Sequence, residues 1–303
     1  MQFLCIGVNE RAEDVKQQIA KELQSLKNNK IDFSIDEVDA GGSTSIICKL
    51  DNDRHMKEEN PSNFDIFRKH VSNALAHFII KQYEEKLLER IINTNYCYFN
   101  APEKKEIVKN AMRIINNEER NFLSGLFRVR RYNTIVKRLI DYFESSNNLI
   151  LEGFVNFRLK EYMKELEDIV DKAVDDYLMQ REYKEFIKLL RYFVDIQEPK
   201  FEVIHIIADY DGKYILLDDS KQEITKECIK EFASEISQGE VNYDDLLVSS
   251  LITLAPEKVI IHCLSQFKNK ELFETIKNVF TGKIVICNGC EICLLNIIKK
   301  QNS

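Results

Sequence analysis

The sequence predicts a helix-rich α+β protein, with a central helical block between N- and C-terminal α/β portions. Only nine glycines and four prolines occur among the 303 residues. This is far below average usage, so turns are few and helices are long. Apolar residues recur at helical spacing through residues 61–200, whereas strand-like patterns precede and follow that block. We therefore expect three segments, residues 1–60, 61–200 and 201–303.

The first segment is expected to form a small β-α-β-β subdomain. Residues 2–8 alternate as in a strand, and an amphipathic helical pattern follows them. Residues 31–38 and 44–50 then predict two strands joined through Gly41 and Gly42. This glycine pair lacks the Gly-Lys-Ser/Thr ending of a phosphate-binding loop, so a hairpin turn is the favoured interpretation.

The central segment is predicted to be helical throughout. A capping pattern at Pro61 and Ser62 predicts its start. Breaks are expected at residues 93–95, 116–117, 145–148 and 198–199. Two apolar stripes within residues 151–200 predict two amphipathic helices, and the aromatic residues of the second stripe are expected in the core: Tyr183, Phe186 and Phe193.

The last segment is expected to contain a β-hairpin and a βαβ unit. Strands at 202–208 and 213–217 flank an Asp-Gly turn at residues 211–212. Predicted elements follow at 225–236 (helix), 244–254 (helix), 258–262 (strand), 270–279 (helix) and 283–286 (strand). A strand-helix-strand order over so short a distance predicts a parallel pair whose strands end on the same side of the sheet. Periodicity leaves open whether the terminal strands share one sheet.

The overall charge bears on partners and location. The net charge is −7, which argues against a nucleic-acid partner because general phosphate binding needs a basic surface. No apolar run is long enough for a membrane span, and the first residues lack a signal-peptide pattern. We expect a cytoplasmic protein, where its eight cysteines are mostly reduced.

A basic stripe is expected on the helix through residues 120–140. At 100° per residue, Arg120, Arg131 and Arg138 fall on one face, opposite Val129 and Val136. This stripe can bind an acidic protein partner or nucleic acid. It can also pair with acidic residues of the same chain, which is the favoured interpretation.

The sharpest chemical feature is Cys287-Asn288-Gly289-Cys290-Glu291-Ile292-Cys293. Three thiolates at this spacing can converge on one metal ion. Residue 297 is not the further cysteine of a ferredoxin-type run. Cys263 or His262, at the end of the neighbouring predicted strand, is therefore the expected fourth ligand. Zinc or a small iron–sulfur cluster, redox-active thiols, and reduced cysteines that simply pack all remain open.

One block of the sequence resembles a known family. The motif Glu-Gly-Phe-Val-Asn-Phe-Arg-Leu and the later run Glu-Phe-Ile-Lys-Leu-Leu-Arg-Tyr-Phe-Val-Asp-Ile-Gln-Glu-Pro are similar to those of the YtxC-like family of sporulation proteins from endospore-forming Firmicutes. The resemblance implies a cytosolic protein linked to spore formation. It implies no activity, substrate or catalytic residues.

The sequence contains no complete catalytic motif. The leading hypothesis is a non-enzymatic, sporulation-associated protein that acts through contacts with a protein partner and carries a C-terminal cysteine metal site. The alternative is a redox or metal-dependent enzyme that uses Cys287, Cys290 and Cys293.

Overall fold

The structure, a computed structural model, describes residues 2–27, 31–39, 41–51, 61–117, 122–208, 213–225 and 242–294. The chain forms two compact units, Met1–Leu178 and Met179–Ser303. Each unit has its own four-stranded sheet and its own apolar core. The predicted helix-rich α+β class is confirmed, and the strands near the two ends of the chain lie in two separate sheets.

The elements that begin in the first unit are β1 (Gln2–Val8), α1 (Ala12–Lys27), β2 (Asp32–Asp39), β3 (Thr44–Asp51), α2 (Pro61–Asn95), α3 (Ala101–Asn117), α4 (Phe122–Ser145), β4 (Asn148–Ile150), α5 (Leu151–Arg158) and α6 (Lys160–Ile196). The sheet order is β2-β3-β1-β4, with β4 parallel to β1 and the other pairs antiparallel. The predicted β-α-β-β order is present. The sheet also includes β4, which follows three helices of the central segment, and the divisions after residues 60 and 200 remain a prediction.

The helix α6 differs from the sequence-based expectation. Two helices were expected after α5, but a single helix runs through both apolar stripes. The residues between the stripes, 179–182, are all favourable helix formers, so nothing interrupts the helix there. The side chains of Tyr183, Phe186 and Phe193 are 41%, 53% and 43% exposed. Their expected core position is therefore wrong, and Ile187 and Val194, one position further along, are buried instead.

The elements that begin in the second unit are β5 (Val203–Ala208), β6 (Tyr214–Leu217), α7 (Tyr243–Leu254), β7 (Lys258–His262), α8 (Lys270–Val279) and β8 (Ile284–Ile286). The sheet order is β6-β5-β7-β8. β5 and β6 are antiparallel, whereas β5 with β7 and β7 with β8 are parallel. The predicted hairpin strands and the predicted parallel pair are confirmed. The predicted turn at 211–212 and most of the predicted helix at 225–236 lie outside the described residues.

Side-chain caps and an amphipathic face explain the helix that connects β7 to β8. The side chain of Asn269 accepts hydrogen bonds from the backbone N–H groups of Glu271 and Leu272, which caps α8. Leu272 and Ile276 are buried at helical spacing against the sheet core. None of the helices in the described ranges combines the length and the apolar character that crossing a membrane requires.

Candidate metal centre

The pairing of β7 with β8 places Cys287 beside His262. In this parallel register Ile261 lies opposite Ile286. The ladder continues past the end of β8, because the backbone N–H of Cys287 donates to the carbonyl oxygen of Ile261 at 2.9 Å. The residues that follow the two strands therefore lie side by side, as the parallel pair predicts.

A turn and one helical turn bring two further cysteines to the same place. Gly289 has a φ angle of 126°, a conformation that glycine adopts with little strain. Residues 291–294 are helical, and the N–H of Leu294 donates to the carbonyl oxygen of Cys290 at 3.0 Å. Cys290 and Cys293 are three residues apart, so their side chains lie on the same side of this turn.

Four side chains meet in one cluster. The Nδ1 atom of His262 lies 3.4 Å from the Sγ atom of Cys290 and 3.5 Å from that of Cys293. The Sγ atom of Cys293 lies 3.9 Å from that of Cys290 and 3.8 Å from that of Cys287. All four atoms lie within 4.8 Å of one another. His262 and Cys293 are buried, while Cys287 and Cys290 are partly exposed.

The four distances of 3.4–3.9 Å are close to those expected around one tetrahedral zinc ion. Zinc binds cysteine sulfur at about 2.3 Å and histidine nitrogen at about 2.0–2.1 Å. At tetrahedral angles, two such sulfurs stand about 3.8 Å apart, and a sulfur and a nitrogen about 3.6 Å apart. In an iron–sulfur cluster the four protein ligands are divided between two or four iron atoms, so the four donor atoms together spread further apart than they do around one ion. The cluster therefore has the dimensions of a site for a single ion.

Hydrogen bonds adjust the acidity of the thiols. Burial raises the pKa of Cys293, but hydrogen bonds from the backbone N–H groups of Cys290 and Cys263 and from the neighbouring thiols outweigh it, so this pKa is lowered overall. The N–H of Gly289 lowers the pKa of Cys287, but burial and the other two thiols raise it overall. Since the thiolate is the form that binds metal, the lowered pKa favours Cys293 as a ligand.

The surroundings of His262 favour its neutral form, and both ring nitrogens have polar contacts. Burial lowers its pKa, and His205 and Lys221 lower that pKa further. Neutral imidazole is the form that binds metal. The Nε2 atom, on the side away from the cysteines, lies 2.9 Å from the Nδ1 atom of His205.

Of the two candidate fourth ligands, the structure brings His262 and not Cys263 into the cluster. β7 ends at His262, and Cys263 then turns into the left-handed conformation with a φ angle of 52°. The backbone turn separates the two side chains. Cys263 contributes through its backbone N–H, which donates to the sulfur of Cys293.

The sequence analysis did not single out His205 from the other four histidines of the chain. The signal that locates it is the register of two parallel strands. Ile207 of β5 lies opposite His262 of β7, and residues two apart on a strand share a face. His205 and His262 are therefore diagonal neighbours, with ring centroids 5.1 Å apart.

The three arginines of the predicted basic stripe have different surroundings. Arg120 lies outside the described residues. Arg131 is 4% exposed, and its guanidinium donates to the Glu84 carboxylate, which also accepts from the Tyr162 hydroxyl at 2.8 Å. Arg138 is exposed, and its guanidinium forms a salt bridge with the Glu161 carboxylate at 2.7 Å.

The faces of α4 differ from those expected from the sequence. Val129 is 54% exposed, whereas Arg131 is buried on the same face as Ile135 and Leu139. The buried face of α4 accommodates the charge of Arg131 because the Glu84 carboxylate neutralises that charge. Binding of a partner by this stripe remains a prediction.

Comparison with known proteins identifies the family. The sequence model of the YtxC-like family matches residues 69–285. This range includes His205 and His262 and ends before Cys287. The "Uncharacterized protein YtxC" of Bacillus subtilis (strain 168) is 26% identical over 234 residues, which cover 76% of this chain and 79% of that protein. No solved structure matches the chain. The chain belongs to the YtxC-like family.

Proposed function

We propose that this chain is a zinc-binding protein that acts through protein contacts in the cytoplasm during spore formation. The observation that carries the zinc assignment is the convergence of His262, Cys287, Cys290 and Cys293, whose donor atoms all lie within 4.8 Å of one another. The family resemblance supports the link to spore formation. The zinc ion would have a structural role in the second unit.

The donor set supports a structural rather than a catalytic ion. Three thiolates and one imidazole supply four protein ligands, and four ligands complete a tetrahedral zinc shell. Catalytic zinc sites keep one position open for water or substrate. A site that is filled by the protein itself has no position at which to activate a substrate.

The position of the cluster explains what the ion would stabilise. β8 is a three-residue strand at the edge of the sheet, and the side chains of Val285 and Ile286 are 42% and 43% exposed. So little apolar burial gives this strand a weak attachment. An ion bound to His262 at the end of β7 and to Cys287 after β8 would fasten the edge strand to its neighbour.

Exposed apolar side chains in the second unit support action through protein contacts. Five large side chains along the second half of α6 are more than half exposed: Met179, Phe186, Leu189, Tyr192 and Ile196. Contiguous exposed apolar surface is typical of protein interaction sites. Solvent-exposed residues of this size on one helix are difficult to explain by the stability of the unit alone.

A redox or metal-dependent enzyme is the second candidate, favoured by the closeness of three sulfur atoms and by the lowered pKa of Cys293. Such an enzyme needs an accessible thiolate whose loss abolishes turnover. Cys293 is only 8% exposed. A buried thiolate surrounded by three other metal donors fits ligation better than attack on a substrate.

The zinc content of the full chain tests the proposal. The protein is purified in the absence of oxygen and without metal-affinity chromatography. We expect about one zinc per chain, lost in a Cys290→Ser/Cys293→Ser variant. Cys97, an exposed free cysteine outside the cluster, supplies the control, and Cys97→Ser should keep its zinc. Metal-free wild-type protein would refute the zinc assignment, and a brown, iron-containing protein would favour the redox enzyme.

The biological part of the proposal has its own test. In an endospore-forming host that carries this chain, deletion of the gene should reduce the yield of heat-resistant spores. The Cys290→Ser/Cys293→Ser variant should restore less of that yield than Cys97→Ser does. An unchanged spore yield after deletion would contradict a role in spore formation while leaving the zinc assignment intact.

A further inference from the structure

Only one proton can lie between the two ring nitrogens through which His205 and His262 contact each other. The Nδ1 atom of His205 and the Nε2 atom of His262 are 2.9 Å apart, a normal hydrogen-bond distance. Neutral imidazole carries one N–H and one acceptor nitrogen. One ring therefore donates at this contact and the other accepts.

The two arrangements differ in what His262 presents to the cysteines. If His205 donates, His262 accepts at Nε2 and carries its own proton on Nδ1. That proton would point at the sulfur atoms of Cys290 and Cys293, which lie 3.4 Å and 3.5 Å from Nδ1. A protonated Nδ1 has no lone pair for a metal ion. In the other arrangement His262 donates from Nε2, and its Nδ1 lone pair faces the three sulfurs.

We propose that His205 is a positioning residue that accepts the Nε2–H of His262 and so holds His262 in the tautomer that can bind zinc through Nδ1. This inference rests on the proposed zinc centre. His205 itself touches no metal. Histidine ligands generally donate their other N–H to a fixed acceptor, and loss of such an acceptor weakens metal binding about 10- to 100-fold.

The strands fix His205 in this role more firmly than a loop would. β5 and β7 are hydrogen-bonded in parallel over five residue pairs, and Ile207 lies opposite His262. The two imidazole rings meet edge to edge, with their centroids 5.1 Å apart and an angle of 29° between their planes. A hydrogen bond at the ring edges fixes the direction of the His262 ring as well as the position of its proton.

The test compares zinc affinities of full-length variants by competition with a chromophoric chelator. His205→Leu removes the acceptor and should weaken zinc binding about 10- to 100-fold. His205→Asn keeps an oxygen acceptor near the position of Nδ1 and should recover most of the affinity. His77→Leu, which removes an exposed histidine of the first unit, is the control and should bind zinc as wild type does.

A second readout reports the tautomer directly in the wild-type protein. Two-bond ¹H–¹⁵N correlations of the zinc-loaded chain should show His262 protonated on Nε2 and His205 unprotonated on Nδ1. This measurement needs no variant, so a folding defect of His205→Leu does not affect it.

The outcomes separate the inference from the function on which it rests. Wild-type protein that binds no zinc would refute both. If wild type binds zinc but His205→Leu binds it equally tightly, or His205→Asn binds as weakly as His205→Leu, the positioning role is wrong and the zinc centre stands. A zinc-loaded His262 that carries its proton on Nδ1 would also refute the positioning role.

Discussion

Removal of zinc should release the C-terminal edge of the second sheet and leave the rest of the chain folded. Without the ion, β8 is held mainly by backbone hydrogen bonds to β7, among them that of Cys287 to Ile261. Each such bond contributes only about 1 kcal/mol net. A ligand that binds only the closed state, present at 1,000 times its dissociation constant, adds about 4.1 kcal/mol. If the amides of β8 exchange when this strand detaches from β7, their exchange should therefore be about 1,000-fold slower with zinc than without it.

Hydrogen exchange followed by mass spectrometry measures this effect on the full chain with and without a zinc chelator. Peptides that cover residues 284–294 should exchange much faster after chelation. Peptides from β1 in the first unit should exchange at the same rate in both samples, which controls for general unfolding. Equal exchange of residues 284–294 in the two samples would refute the structural role of the ion, even if zinc is bound.

Three further predictions follow from the same contacts. Arg131→Met should destabilise the first unit by about 3–5 kcal/mol, because it leaves the Glu84 carboxylate buried without its cation. Arg138→Met, at an exposed pair, should cost less than about 1 kcal/mol; urea unfolding measures both, and equal costs would contradict the burial difference. Gly289→Ala should weaken zinc binding, because a φ angle of 126° costs a non-glycine residue about 1–3 kcal/mol; chelator competition measures the loss, and unchanged affinity would contradict it. Zinc affinity should fall as the pH falls, because each thiol must lose a proton to bind zinc and protons compete with the ion in acid. The same competition assay, repeated between pH 8 and pH 6, should show a continuous fall in affinity, and a constant affinity over this range would contradict binding through thiolates.

The fold of the second unit was largely predictable because local patterns decide it. The strand-helix-strand order fixed the parallel pairing of β7 and β8, and the C-x-x-C-x-x-C spacing fixed which cysteines converge. The fourth ligand was not decided by sequence, since His262 and Cys263 are adjacent. Only the left-handed backbone at Cys263 determines which of the two side chains faces the cysteines.

The first unit shows why other predictions fail. β4 has three residues, too few for a period of two to be recognised, and its partner β1 is more than 130 residues away in the chain. The burial of Arg131 depends on Glu84 of α2, so periodicity within α4 alone assigns it to the wrong face. Both features are decided by tertiary contacts, which a window of local sequence does not contain.

X-ray absorption at the zinc edge of the full-length protein measures the number, type and distance of the zinc ligands. We expect a first shell of three sulfur atoms at about 2.3 Å and one nitrogen at about 2.0–2.1 Å. A shell of four sulfurs would contradict His262 as the fourth ligand. A shell of oxygen and nitrogen alone, or protein without bound zinc, would contradict the metal centre itself.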